Sequence, residues 1–281
     1  KAVIISCNAI NSAKLLLLSG VGPKSHLKSL GIEMIADLPV GGNFIASPEF
    51  GNIGLPASTS PPESYLNIEN LYEYYINGTG PLTNFGGLFT YIKTKYSESI
   101  PDIALITSIR GGFQYVLNAW LLRPESRGTI RLNSTNPFDS PIVNPNYFSK
   151  EIDKSVYYDG LREVFKIARK IREYGLQLVV YGDCKPCTGS NATFDMPCEQ
   201  YLSCLTKNYA RDGLHLAGTC RMGSEHDEQA VVNERLKVRK VDGLHVCDSS
   251  IMPQITSQGT YTPTVMIGER CAKFIKDDYN V

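Results

Sequence analysis

Residues Val241 to Arg270 read VDGLHVCDSSIMPQITSQGTYTPTVMIGER, and the order of residue types within them decides the fold class. Gly243 makes a turn, and Leu244 to Cys247 form a short apolar run that ends at Asp248, the pattern of a strand with an acid at its carboxyl end. A stretch rich in Ser, Thr and Gly then runs into a helix led by Pro263, flanked by hydroxyl residues that can cap it and continuing to about Lys276. In doubly wound α/β folds, ligands lie beyond the carboxyl ends of such strands. A single tyrosine, Tyr261, stands just before the helix.

The other end of the chain supplies matching pieces. Val3, Ile4 and Ile5 form an apolar run of the kind a parallel sheet buries, so the chain is expected to continue something longer. Asn11 or Ser12 can cap a helix through Leu18, stopped by Ser19-Gly20-Val21-Gly22-Pro23; a second short helix carries Leu27 and Leu30 on one side and ends at Gly31. From Pro48 to about Pro62 the composition shifts to Pro, Ser, Thr and Gly, which marks a boundary. Beyond it, ALITSI, AWLLRP and GTIRLN read as strands, the last with Ile130 and Leu132 inward and Arg131 outward. Ser155 to Arg172 is an amphipathic helix, with Val156, Leu161, Val164, Phe165, Ala168 and Ile171 at helical spacing.

The bulk composition narrows the function classes. At 281 residues with 42% apolar content the chain can bury a sizeable core. Lys plus Arg and Asp plus Glu both number 28, which removes any electrostatic case for nucleic acid or an acidic membrane surface. Apolar runs fall far short of the ~20 residues of a spanning helix. Sequons at Asn77, Asn133 and Asn191 favour secretion to an extracellular setting. Cys184, Cys187, Cys198 and Cys204 fall within 21 residues around Asn191, at a spacing near but not on that of zinc ribbons. A glycosylated loop passes through an oxidising compartment, so disulfides are expected there rather than zinc, with three pairings open. Cys7, Cys220, Cys247 and Cys271 read as buried thiols.

Several stretches resemble the glucose-methanol-choline (GMC) oxidoreductases: NAINSAKLLLLSGVGP, LGIEMIADLPVGGNF, LLRPESRGTIRLNSTNPFDSPIVNPNYF, HLAGTCRMG and the Val241 to Arg270 segment, in family order. The cysteine loop and sequons are similar to the secreted arthropod glucose-dehydrogenase-like branch. The resemblance implies a mixed α/β (α+β) chain forming the C-terminal part of the GMC fold. Residues 1–47 and 241–281 would belong to a Rossmann-like FAD-binding domain, and 48–240 to a substrate domain with a sheet covered by helices. No Gly-x-Gly-x-x-Gly follows a strand, so FAD is expected only with the N-terminal half of the same protein or a second chain completing the domain. A homo-oligomer is left open.

The same resemblance implies oxidation of an alcohol or sugar at a CH–OH group. His215 would take the hydroxyl proton, a step suited to an imidazole, while a hydride passes to flavin N5. Asp248, Ser249 and Asn8 would lie near the cofactor, and Thr262, Pro263 and Thr264 would open a helix whose positive end faces the flavin. The chain departs from the pattern at several points. Tyr261 occupies the second catalytic His/Asn position, Gln258-Gly259 replaces Gly-Asn, Asn8 replaces a Gly, Ala13 a Pro, and Ala46-Ser47 an Asp-His pair. These departures keep two other readings open: a secreted glycoprotein using the fold as a binding or structural module, and a non-redox flavoprotein lyase.

Overall fold

A computed structural model describes residues 1–54, 67–83, 88–110, 114–175, 179–180, 182–187 and 197–280. In chain order the elements are β1 (Val3–Ile5), α1 (Asn8–Leu18), α2 (Lys24–Ser29), β2 (Ile45–Gly54), α3 (Ile68–Tyr72), β3 (Phe89–Ile92), β4 (Ile103–Arg110), β5 (Gln114–Leu121), β6 (Thr129–Arg131), β7 (Ile142–Asn144), α4 (Glu151–Glu173), β8 (Val179–Val180), α5 (Glu199–Tyr209), β9 (Arg211–Ala217), β10 (Leu244–Val246) and α6 (Tyr261–Tyr279). The fold class is mixed α/β, as expected. The described residues divide into two compact units.

The first unit comprises Lys1–Ser47, Leu122–Asp153 and Asp212–Val281. Residues 122–153 and 212–240, expected within the middle domain, pack here, because β6 and the loops around Val232 and Val238 share one core with α1. β1 and β10 pair in parallel, Val3 with Leu244 and Ile5 with Val246. Of the apolar run expected to be buried, only Ile5 is; Val3 and Ile4 remain 62% and 48% exposed, β1 and β10 alone making up this sheet among the described residues.

α1 turns Ala9, Ser12, Ala13, Leu16 and Leu17 inward, the i, i+3, i+4, i+7, i+8 pattern of a helix with one buried face. It begins at Asn8, before the expected cap. Asn8 Oδ1 accepts from the backbone N–H groups of Ile10 and Asn11, whereas Ser12 Oγ turns inward to Asp248. In β6, Ile130 and Leu132 point inward as expected; Arg131 lies half-buried, its guanidinium donating to the carbonyls of Ile130 and Val40.

The second unit comprises Pro48–Leu121 and Lys154–Arg211. Its sheet has the order β3-β4-β5-β2-β8, with antiparallel neighbours. α4 lies close against β4 because Gly160 has no side chain: a Cβ there would sit 2.9 Å from Ile103 side-chain atoms. Phe165 of α4 meets Tyr201 of α5, ring centroids 5.9 Å apart.

The cysteine cluster forms disulfides Cys184–Cys204 and Cys187–Cys198, which choose one of the three open pairings and fasten the preceding loop to α5. Cys247 and Cys271, read as thiols, form a third disulfide between the end of β10 and α6. Both are buried as expected, but two elements distant in sequence bring them together. Cys220 is a buried free thiol, while Cys7 is free and exposed rather than buried. Asn77 and Asn133 are exposed; Asn191 lies outside the described residues. No described helix is long and apolar enough to cross a membrane.

Candidate active site

The site is assembled where two segments of the first unit run side by side. After β9, the backbone N–H groups of Gly218, Cys220 and Met222 donate to the carbonyls of Ser249, Ser250 and Ile251 at 3.2, 2.8 and 2.7 Å. This ladder brings the chain after His215 alongside the chain after Asp248. Gly218 takes φ +90, and a Cβ on it would collide with the Asn43 carbonyl, so only glycine fits. Ala217 packs with Ile45, Met252 and Ile255 beneath the strand end.

His215 is half-buried near the end of β9. It follows Leu214, a non-glycine residue at φ 63, a conformation that costs an L-residue roughly 1–2 kcal/mol, and the Leu214 side chain is 82% exposed. His215 Nδ1 lies 3.4 Å from Thr260 Oγ1. Its ring also lies over Gly259, where an added Cβ would sit 3.0 Å from Cε1 and where φ is +77. Burial pushes the His215 pKa below the ordinary 6.5, so the ring is neutral at neutral pH and can accept a proton.

Asp248 sits just past β10, buried, and binds on both oxygens. Oδ2 accepts from the Asn8 backbone N–H at 3.1 Å and from Ser12 Oγ at 2.5 Å, and Oδ1 accepts from the Ser250 N–H at 2.8 Å. It therefore ties the β1–α1 turn to the start of the Ser249 turn. Asn8, where a glycine was expected, has φ 70, the left-handed conformation that glycine favours and Asn tolerates. Ser249 is buried beside it.

Helix α6 starts two residues before Pro263, so Tyr261 is its first residue rather than a residue preceding it. The Tyr261 side chain is 83% exposed. Thr262 and Pro263 complete the first turn, and Thr264 donates from both its N–H and its hydroxyl to the Thr260 carbonyl. No side chain caps this terminus. The structure thus groups His215 with Gly259 and Thr260, and groups Asp248 with Asn8 and Ser249. Thr260, at the junction, is the residue sequence reading passed over.

A family model described as GMC oxidoreductase matches residues 124–268. Glucose dehydrogenase [FAD, quinone] of Drosophila melanogaster is 32% identical over 308 residues, covering 98% of this chain and 47% of that protein. Ecdysone oxidase of Bombyx mori is 31% identical over 317 residues, covering 100% of this chain and 45% of that protein. A variant of formate oxidase from Aspergillus oryzae superimposes with a TM-score of 0.80 at 22% identity, covering 100% of this chain and 55% of that one, a likeness of fold. The chain spans about half the length of the relatives it matches.

Proposed function

The chain belongs to the GMC oxidoreductase family, and on that premise we propose that it is the carboxyl-terminal part of an FAD-dependent oxidoreductase acting on a CH–OH group of an alcohol or sugar. One observation carries the reading. A neutral, half-buried imidazole, His215, faces the left-handed turn at Gly259 and the start of a 19-residue helix.

The residues present fit such a cofactor. The N-terminus of α6 has no side-chain cap, so its first N–H groups and its positive dipole end suit an electron-rich ring. Asn8, left-handed, turns the chain at the end of β1, its backbone N–H donating to Asp248, the neighbour of Ser249. FAD, when bound, supplies an acceptor for the hydride leaving the substrate carbon. In this reading Asn8, Asp248, Ser249 and the Thr262–Thr264 turn hold it, together with the rest of the protein or a second chain. His215 takes the hydroxyl proton of the substrate, and burial keeps it unprotonated until then. Tyr261, exposed at the first position of α6, lines the substrate approach. The disulfides and the exposed sequons at Asn77 and Asn133 support a secreted glycoprotein.

The test uses the intact protein, reduced anaerobically with an alcohol while flavin absorbance is followed. His215→Ala is expected to slow bleaching by roughly a hundredfold or more, the range for loss of a general base. An unchanged rate removes His215 from the chemistry. A colourless protein that binds no flavin supports the binding-module reading instead.

A further inference from the structure

We propose that Asn43 is a positioning residue for His215: its side-chain amide clamps the chain just after the imidazole to the turn that follows Asp248, and anchors both to Arg127. The inference rests on the reading of His215 as the base, and extends it to a residue outside β9 and α6.

All three segments of the first unit meet at this side chain. Asn43 Nδ2 donates to the carbonyls of Gly218 and Pro253, both at 3.3 Å, and Oδ1 accepts from Arg127 Nε at 2.9 Å. These partners dictate the orientation of the amide, because carbonyls only accept and a guanidinium only donates. A carboxylate would offer the carbonyls no N–H, and an apolar side chain would meet none of the three, so the amide is the group that fits. Two backbone features admit it. Asn43 takes φ 50, a conformation that Asn tolerates and most residues avoid. Gly218 lets it approach, since a Cβ there would lie 2.8 Å from Asn43 Nδ2. Arg127 is itself held, its Nη1 donating to the carbonyls of Pro124 and Ser126 at 2.7 and 3.0 Å.

The clamp sits where the base and the Asp248 segment come together. The Gly218 N–H is bonded to Ser249 and the Gly218 carbonyl to Asn43, so the chain that leaves His215 is fixed on both sides of one residue. Removing the amide frees the carbonyl side and lets His215 shift against the Ser249 turn. A misplacement of about 1 Å at a reacting group costs up to roughly a hundredfold in rate.

The experiment follows anaerobic reduction of the flavin by an alcohol in the intact protein, well below the Tm of each variant. Asn43→Gly keeps the left-handed backbone and removes the amide; Asn43→Asp keeps the bond to Arg127 and turns an acceptor toward the two carbonyls. Each is expected to lower kcat by roughly ten- to a hundredfold with little change in KM. In a His215→Ala background the same substitutions should have almost no further effect, because Asn43 acts through that imidazole. Asn43→Asp carries the test should Asn43→Gly not fold. A lower Tm with an unchanged rate marks a purely structural clamp and overturns the proposal, as does a rate loss equally large with and without His215. Failure of the underlying base reading is seen separately, as a His215→Ala protein that keeps its rate.

Discussion

Gly259 and Asn8 place two left-handed residues at the candidate site, and each makes a different substitution costly. At Gly259, alanine adds a Cβ 3.0 Å from the His215 ring and must hold φ +77. Gly259→Ala is therefore expected to cost about 1–2 kcal/mol in denaturant unfolding of the intact protein. Asn8 solves the same backbone problem with a side chain that also accepts from the N–H groups of Ile10 and Asn11. Asn8→Ala loses both contributions, about 2 kcal/mol in the same measurement, whereas Asn8→Gly keeps the backbone and should cost well under half of that. Sequence reading located both positions as departures from a pattern, because residue type is visible there. It could not see that Asn8 keeps glycine's conformation. It also fixed attention on Tyr261, while Thr260 faces the imidazole: a one-residue change along a helix start turns a side chain by about 100°.

Elements were legible where the sequence carries its own period. The helix read as Ser155 to Arg172 lies inside α4 (Glu151–Glu173), and the strand before Asp248 is β10. The start of α6 was read late because proline is tolerated anywhere in the first turn, where its missing N–H is not needed. Convergence through space leaves no periodic trace, which is why Cys247 and Cys271 read as thiols. Their disulfide spans a sequence separation of 24 and joins the end of β10 to α6, the helix that follows Thr260. By loop-closure entropy, Cys247→Ala/Cys271→Ala should lose about 3 kcal/mol of stability, read as a lower denaturation midpoint. A substrate-free unfolding curve unchanged by this double substitution would mean that packing alone docks α6. In the second unit, Gly160→Val would force a side chain into Ile103 and should cost about 1–3 kcal/mol by overpacking.

Across the molecule, the response to mild acid is written in histidines of the first unit. Three of them, His26, His215 and His245, have pKa values held below 6.5, in each case chiefly by burial. Hydrogen bonding agrees at His26. His26 Nε2 accepts from the Leu132 N–H at 3.0 Å, which requires a lone pair there, and Arg131 adds a repelling charge. His245, fully buried in β10, has Nε2 3.1 Å from the Tyr279 hydroxyl; beyond burial, the Lys237 charge disfavours its protonation, while Asp278 and a hydrogen bond with the Arg235 backbone partly offset this. A group whose pKa is lower folded than unfolded binds fewer protons when folded. Its contribution is therefore fully present above the unfolded value of about 6.5 and is lost as pH falls from there toward the folded value.

Asp278, held near 2 by Arg235 and Lys237, behaves in the same direction but in another window, below the ordinary carboxylate range near 4. Between pH 7 and 5, then, the histidines dominate the change. Thermal melts of the intact protein should show Tm steady above pH 7 and falling between about pH 6.5 and 5. Replacing His26 and His245 by Gln should flatten that fall even if both variants start from a lower Tm, because Gln cannot titrate. A slope unchanged in the double variant would place the acid response elsewhere.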